Sequence, residues 1–247
     1  MVEASIDVRT PDGVMATRTF APASGGPFPV VIFYMDGLGV REVLAEMARR
    51  IAEEGYFVAL PNLFYRSGPY APFDGASVFG NPDERARIMA LIREVTPARV
   101  FADTTALLEA LAAQPAADTR RIGTVGYCMG GGPALAAAGR FPDRVRAAAS
   151  YHGGNIATEA ADSPHAIATA ARAELYVGYA ENDNSFPDEQ LQRLQSAFAG
   201  ANLRYSAELY HGLHGFAVRD LPPFKADAAE RHWATLLGLF HRTLDAA

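Results

Sequence analysis

The chain has 247 residues, 49% of them hydrophobic, a net charge of −6 and one cysteine. That length and apolar content suit one large α/β domain spanning 1–247. The acidic balance without any basic run argues against nucleic acid or an anionic membrane as partner, no apolar run nears the ~20 residues of a membrane span, and a lone cysteine excludes an internal disulfide.

The opening residues Met1–Asp7 lack the basic patch and apolar run of a signal peptide, so a cytoplasmic location is expected. Residues 4–9 and 14–20 alternate polar and apolar around Pro11-Asp12-Gly13, a hairpin signal. A Pro/Gly-rich loop follows, then the continuous apolar run 29–35, the signature of a strand buried on both faces. Asp36-Gly37-Leu38-Gly39 reads as a turn, and 41–54 as a helix with Val43, Leu44, Met47 and Ile51 on one face. Residues 56–60 form the next buried strand. Residues 64–82 hold Pro, Gly, Ser and aromatics without period, which predicts a long ordered loop; long loops of this kind often cover sites.

Two helices are expected over 82–95 and 97–113, then a strand over 121–127. Further strands are expected over 145–151, 174–179 and 203–210. The intervening helices fall at 130–140 and 188–199, and a closing helix at 224–243. Strand–helix alternation with continuous apolar strands predicts a mainly parallel sheet with helices on both faces, and ligands on such sheets sit at the carboxyl ends of the strands.

The stretch Gly126-Tyr127-Cys128-Met129-Gly130-Gly131 has the form of a nucleophile elbow, G-x-S-x-G, with cysteine in the serine position. The flanking glycines let strand and helix pass closely, and the helix N-terminus favours a thiolate. A lone cysteine is also commonly a small buried hydrophobe. The choice turns on whether a base and an orienting acid are present.

Of the six histidines, His214 is best placed, in a Gly-rich loop just after the last strand. His211 is its rival, and His152 either lines the pocket or is packed under a loop. His232 and His241 fall in the last helix, where a surface or packing role is expected, and His165 lies in a loop. The acid belongs on the loop after 174–179, where Asp183 is favoured over Glu181, and Asp188 reads as a helix start. Oxyanion donors are expected at the amides of Met129 and Gly37.

These residues resemble the dienelactone hydrolase (carboxymethylenebutenolidase) family: the cysteine elbow with its double glycine, the order Cys128, Asp183, His214, and the His-Gly-Phe after the last strand. The resemblance covers nearly the whole chain and implies an α/β-hydrolase fold. It implies hydrolysis of a lactone or ester by Cys128, with His214 as base and Asp183 behind it, and no metal or organic cofactor. It implies that Asp36 stands where the family has a glutamate facing the resting thiol, and that Arg87 is the arginine that clamps a substrate carboxylate. Two positions depart from the family: Leu91 replaces a tyrosine, and the arginine behind the histidine is displaced to Arg219. The expected partner is a small-molecule ester or lactone, and the expected assembly is a monomer or small homo-oligomer.

Overall fold

The computed structural model describes residues 1–245. Pro11 and Asp12 close the hairpin between β1 (Val2–Thr10) and β2 (Gly13–Ala21), which pair antiparallel from Val2↔Ala21 to Thr10↔Gly13. β3 (Phe28–Tyr34) is buried from Pro29 onward, as its unbroken apolar run requires. The chain continues through α1 (Glu42–Glu53), β4 (Phe57–Pro61), α2 (Pro82–Glu94) and α3 (Pro97–Ala112) to β5 (Ala117–Tyr127). α4 (Gly131–Arg140), β6 (Val145–Tyr151), the short α5 (Pro164–Ala168) and β7 (Glu174–Ala180) follow. The chain closes with α6 (Asp188–Gly200), β8 (Tyr205–Tyr210) and α7 (Ala226–Leu244).

The eight strands form one sheet in the order β1-β2-β4-β3-β5-β6-β7-β8. β2 meets β4 antiparallel, and every pairing from β4 to β8 is parallel. Neighbouring β5 residues show how the two faces are covered. Gly123 faces Phe240 and Leu244 of α7. Thr124, pointing the other way, donates to the Ala134 carbonyl of α4 at 2.8 Å. Tyr34 pairs with Gly126 and so shares the α4 face, where its hydroxyl meets Thr104 of α3 at 2.9 Å. This is the mainly parallel sheet with helices on both faces that the strand–helix order implied, and the α/β-hydrolase fold that the family resemblance implied.

β5 begins four residues before its expected start. Phe28↔Ala117 and Pro29↔Asp118 pair ahead of a register shift between Pro29 and Val30. The polar segment Asp118–Arg121 hid this extension. Asp118 is buried and accepts from both Arg120 and Arg121 there.

The long segment 64–81 is ordered by its own aromatics: the Phe64 and Tyr70 rings pack edge-on at 5.6 Å, and Tyr70 and Phe73 stack at 6.1 Å. Among the described residues no helix is long and apolar enough to cross a membrane. The parallel register brings the ends of β3, β5, β6, β7 and β8 to one edge, so the residues after Tyr34, Tyr127, Tyr151, Ala180 and Tyr210 gather there.

Candidate active site

Cys128 follows directly on β5 with φ +52, a left-handed conformation that is uncommon outside glycine and is strained. Two glycines make the turn possible. A methyl group at Gly126 would collide with the Gly130 carbonyl, and one at Gly130 would collide with the carbonyls of Tyr34 and Met35. A tight 3-10 turn over Cys128–Gly130 then leads straight into α4. The sulfur is half-buried at the positive end of that helix. The Gly154 amide holds the Cys128 carbonyl at 3.3 Å.

His214 lies on the loop after β8 and Asp183 on the loop after β7. His214 Nδ1 is 2.7 Å from Asp183 Oδ2. Since the carboxylate accepts, Nδ1 carries the proton, and Nε2 is left for Cys128 on the other side of the ring. Ser185 was not singled out in the sequence. Its hydroxyl donates to Asp183 Oδ1 at 2.6 Å and lies 3.2 Å from His214 Nδ1, and its amide reaches the same Oδ1 at 2.9 Å. The Asp-x-Ser spacing of an Asx-turn was the available signal.

Burial alone would discharge His214. The charge of Cys128 and hydrogen bonds to Asp183 and Cys128 outweigh it, and the imidazole pKa is pushed up to about 10. Burial likewise opposes the Asp183 charge, but His214 and Ser185 hold its pKa below the usual carboxylate value. The rival residues pair with each other instead: His211 Nδ1 lies 2.6 Å from Glu181 Oε1, with both side chains well exposed.

The model of the dienelactone hydrolase family matches residues 15–244. The chain belongs to the dienelactone hydrolase family. It is 29% identical to an Escherichia coli (strain K12) protein provisionally named carboxymethylenebutenolidase, over 96% of this chain and 91% of that one. It is 27% identical to the carboxymethylenebutenolidase of Pseudomonas sp. (strain P51), over 88% and 86%. A crystal structure of a provisional dienelactone hydrolase from Klebsiella pneumoniae subsp. pneumoniae MGH 78578 has the same fold, with a TM-score of 0.83 at 23% identity and 98% of both chains covered. The protein is therefore a hydrolase of the carboxymethylenebutenolidase type.

Two residues expected to face a dienelactone hydrolase substrate are otherwise engaged. Asp36 is fully buried, and Arg41 binds both its oxygens, at 2.6 and 2.9 Å. The Leu38 amide adds a third bond at 2.9 Å. Its carboxylate is thus held by a guanidinium rather than aimed at the thiol. Arg87 donates to the Ala71 carbonyl at 2.8 Å and to Glu84 at 2.5 Å, and lies 4.1 Å over the Phe73 ring. It ties α2 to the 64–81 segment. Leu91 is buried in α2, and Arg219 pairs with Glu46 at the surface.

The loop after β3 has one amide in hand. Leu38 N–H goes to Asp36 Oδ1 and Gly39 N–H to the Asp36 carbonyl, while Gly37 N–H meets no acceptor among the described residues. Arg41 also reaches across to Asp220, at 2.6 and 2.9 Å. It thereby fastens the Gly37 loop to the segment that follows His214. No local signal joins residues 179 positions apart, so this tie was invisible in the sequence.

His152 is fully buried with φ +39, and its ring lies 5.3 Å from His214 and 5.0 Å from Phe216. Neither ring nitrogen has a hydrogen-bond partner among the described residues, and burial drives its pKa well below the ordinary histidine value. His232 is packed inside, the second of the surface and packing roles that its helix position left open. Its Nδ1 donates to the Ala229 carbonyl at 3.1 Å, and its Nε2 accepts from the Tyr127 hydroxyl at 2.7 Å.

Proposed function

We propose that this protein hydrolyses a carboxylic ester or lactone through Cys128, His214 and Asp183, by way of a thioester. The observation that carries the reading is His214, held at 2.7 Å by Asp183 and charged by its closeness to Cys128. His214, oriented by Asp183 and lying beside the sulfur, helps make Cys128 thiolate, the form that attacks.

The thiolate attacks the carbonyl carbon, forming the C–S bond and moving an electron pair to oxygen. The Met129 and Gly37 amides stabilise that oxyanion; one such donor contributes roughly 3–4 kcal/mol to the transition state. The intermediate collapses by breaking the C–O bond, and His214 Nε2–H delivers its proton to the leaving oxygen. A water then gives its proton to His214 as its oxygen attacks the thioester. Collapse breaks the C–S bond and returns thiolate, imidazolium and the carboxylic acid, which releases its proton to solvent as the carboxylate leaves. Every proton is supplied by His214 or water, and the substrate is a small molecule.

The test is Cys128→Ala assayed with p-nitrophenyl acetate. Loss of turnover and of the acyl burst, with an unchanged melting temperature, is the expected result; retained turnover would remove Cys128 from the reaction.

A further inference from the structure

A cavity of about 200 Å³ opens beside the elbow on the α4 face, between the start of α3, the first turns of α4 and the 154–167 segment. Val95, Phe101, Met129, Pro133 and Ile167 form its apolar wall. It touches the proposed chemistry at two points. Met129 follows Cys128 and offers the oxyanion amide. Gly154 holds the Cys128 carbonyl and, on its other side, approaches the His214 ring edge. In the tetrahedral intermediate the oxygen lies toward Gly37 and Met129 and the leaving group toward His214. The remaining substituent of that carbon is the acyl chain, and the cavity adjoins the elbow through Met129 and Gly154.

We infer that this cavity is an acyl subsite selecting neutral, apolar acyl groups of about four to six carbons or a phenyl ring. The inference rests on the ester-hydrolase reading above and names its substrate class. Size supports it: an apolar cavity of about 150 Å³ accommodates benzene. Charge supports it as well. Among the described residues no lysine or arginine lines the cavity, and the only ionisable one lining it is Asp162, which repels an anion. Arg41 and Arg87 are already matched by carboxylates. Arg41 lies between Asp36 and Asp220, and Arg87 is held by Glu84 and Phe73. A substrate carboxylate therefore finds both guanidinium charges already matched by carboxylates, with Arg87 Nε the one donor of the two left without a partner among the described residues.

The experiment compares kcat/KM for p-nitrophenyl acetate, butyrate, hexanoate and benzoate with that for mono-p-nitrophenyl adipate, the six-carbon acyl group ending in a carboxylate. The expected result is a rise of at least ~10-fold from acetate to hexanoate, within the range that one or more methylenes in an apolar pocket supply. Adipate should fall at least ~10-fold below hexanoate. Ile167→Phe, which fills the cavity from its half-exposed rim, should lower the hexanoate-to-acetate ratio by ~10-fold. Phe101→Ala, which enlarges the cavity, should move the optimum to longer chains; the two variants are checked by thermal melting. A flat chain-length profile, a preference for adipate, or ratios unmoved in both folded variants would overturn the subsite. Absence of hydrolysis of every ester by the unaltered protein would instead overturn the ester-hydrolase reading itself.

Discussion

His214 Nδ1 stands 2.7 Å from Asp183 Oδ2, and the two residues come from loops after adjacent parallel strands, β7 and β8. The same ring faces Cys128, so it sits between the carboxylate and the sulfur. Its pKa, about 10, lies above the ordinary histidine value. A raised pKa in the folded state means that the ring's stabilising contribution is complete below about pH 6.5 and is lost as pH rises through about 10. NMR titration of the His214 ring should show imidazolium persisting at pH 8. In Cys128→Ala the leading cause of the increase is gone, and the midpoint should drop by more than one unit. An unchanged midpoint would mean that Asp183 alone sets the charge.

Two acid–histidine pairs lie side by side, and they can be told apart. Asp183 is buried and braced by Ser185, whereas the Glu181–His211 pair is open to solvent. Asp183→Asn keeps the shape but leaves His214 without its anionic partner, and kcat should fall by ~100-fold or more, as for a triad acid. Glu181→Gln disturbs an exposed pair of the kind that contributes about 0–1 kcal/mol, and kcat should hold within twofold. Ser185→Ala should lower kcat by ~10-fold with little change in KM, because Asp183 loses one of its two braces. Steady-state kinetics on one activated ester decides all three.

Elements with a strong period or punctuation were legible in the sequence: the hairpin at Pro11-Asp12-Gly13, the apolar run of β3, and the elbow itself, whose glycines answer a local steric demand. The loops bearing Asp183 and His214 were legible because parallel topology places them at one sheet edge. What escaped were long-range polar ties. Arg41 to Asp220 spans 179 positions, and the ties from Asp118 to Arg120 and Arg121 lie in a segment that no expected element covered as far as Arg120. Asp36 and Arg87 were legible as polar residues near the site. Their orientation depends on partners, Arg41 and Phe73, that no periodicity reveals.

Acid should destabilise the fold through its buried histidines. The pKa of His232 is held down to about 3 and that of His152 well below normal, chiefly by burial. Both are depressed, so below about pH 6.5 the unfolded chain binds protons that the folded one refuses. Stability then falls by about 1.4 kcal/mol per pH unit for each such residue. His214 adds no slope there, being protonated in both states. Urea unfolding between pH 7 and 4 should show this loss. Burial lowers the His165 pKa as well, and His152→Phe removes one of these three contributions without costing a hydrogen bond, because its ring nitrogens have none among the described residues. A slope unchanged by that variant would locate the acid sensitivity elsewhere.

Arg41 neutralises a carboxylate that has no other cation among the described residues. Asp36 is 1% exposed and receives two bonds from the guanidinium, which itself is mostly covered. Arg41→Met fits the stem but strands that charge, and loss of one partner of a buried pair costs about 3–5 kcal/mol. The Gly37 loop would also lose its tie to Asp220, so the proposed oxyanion amide would be less well held. Arg41→Met should therefore lower the melting temperature and reduce kcat by more than KM changes. Adding Asp36→Asn removes the stranded charge and keeps the Leu38 amide bond. The double variant should recover most of the melting temperature while kcat stays low, since the link to Asp220 is still absent. Full recovery of kcat in the double variant would show that the tie does not position the loop and that only the buried charge matters.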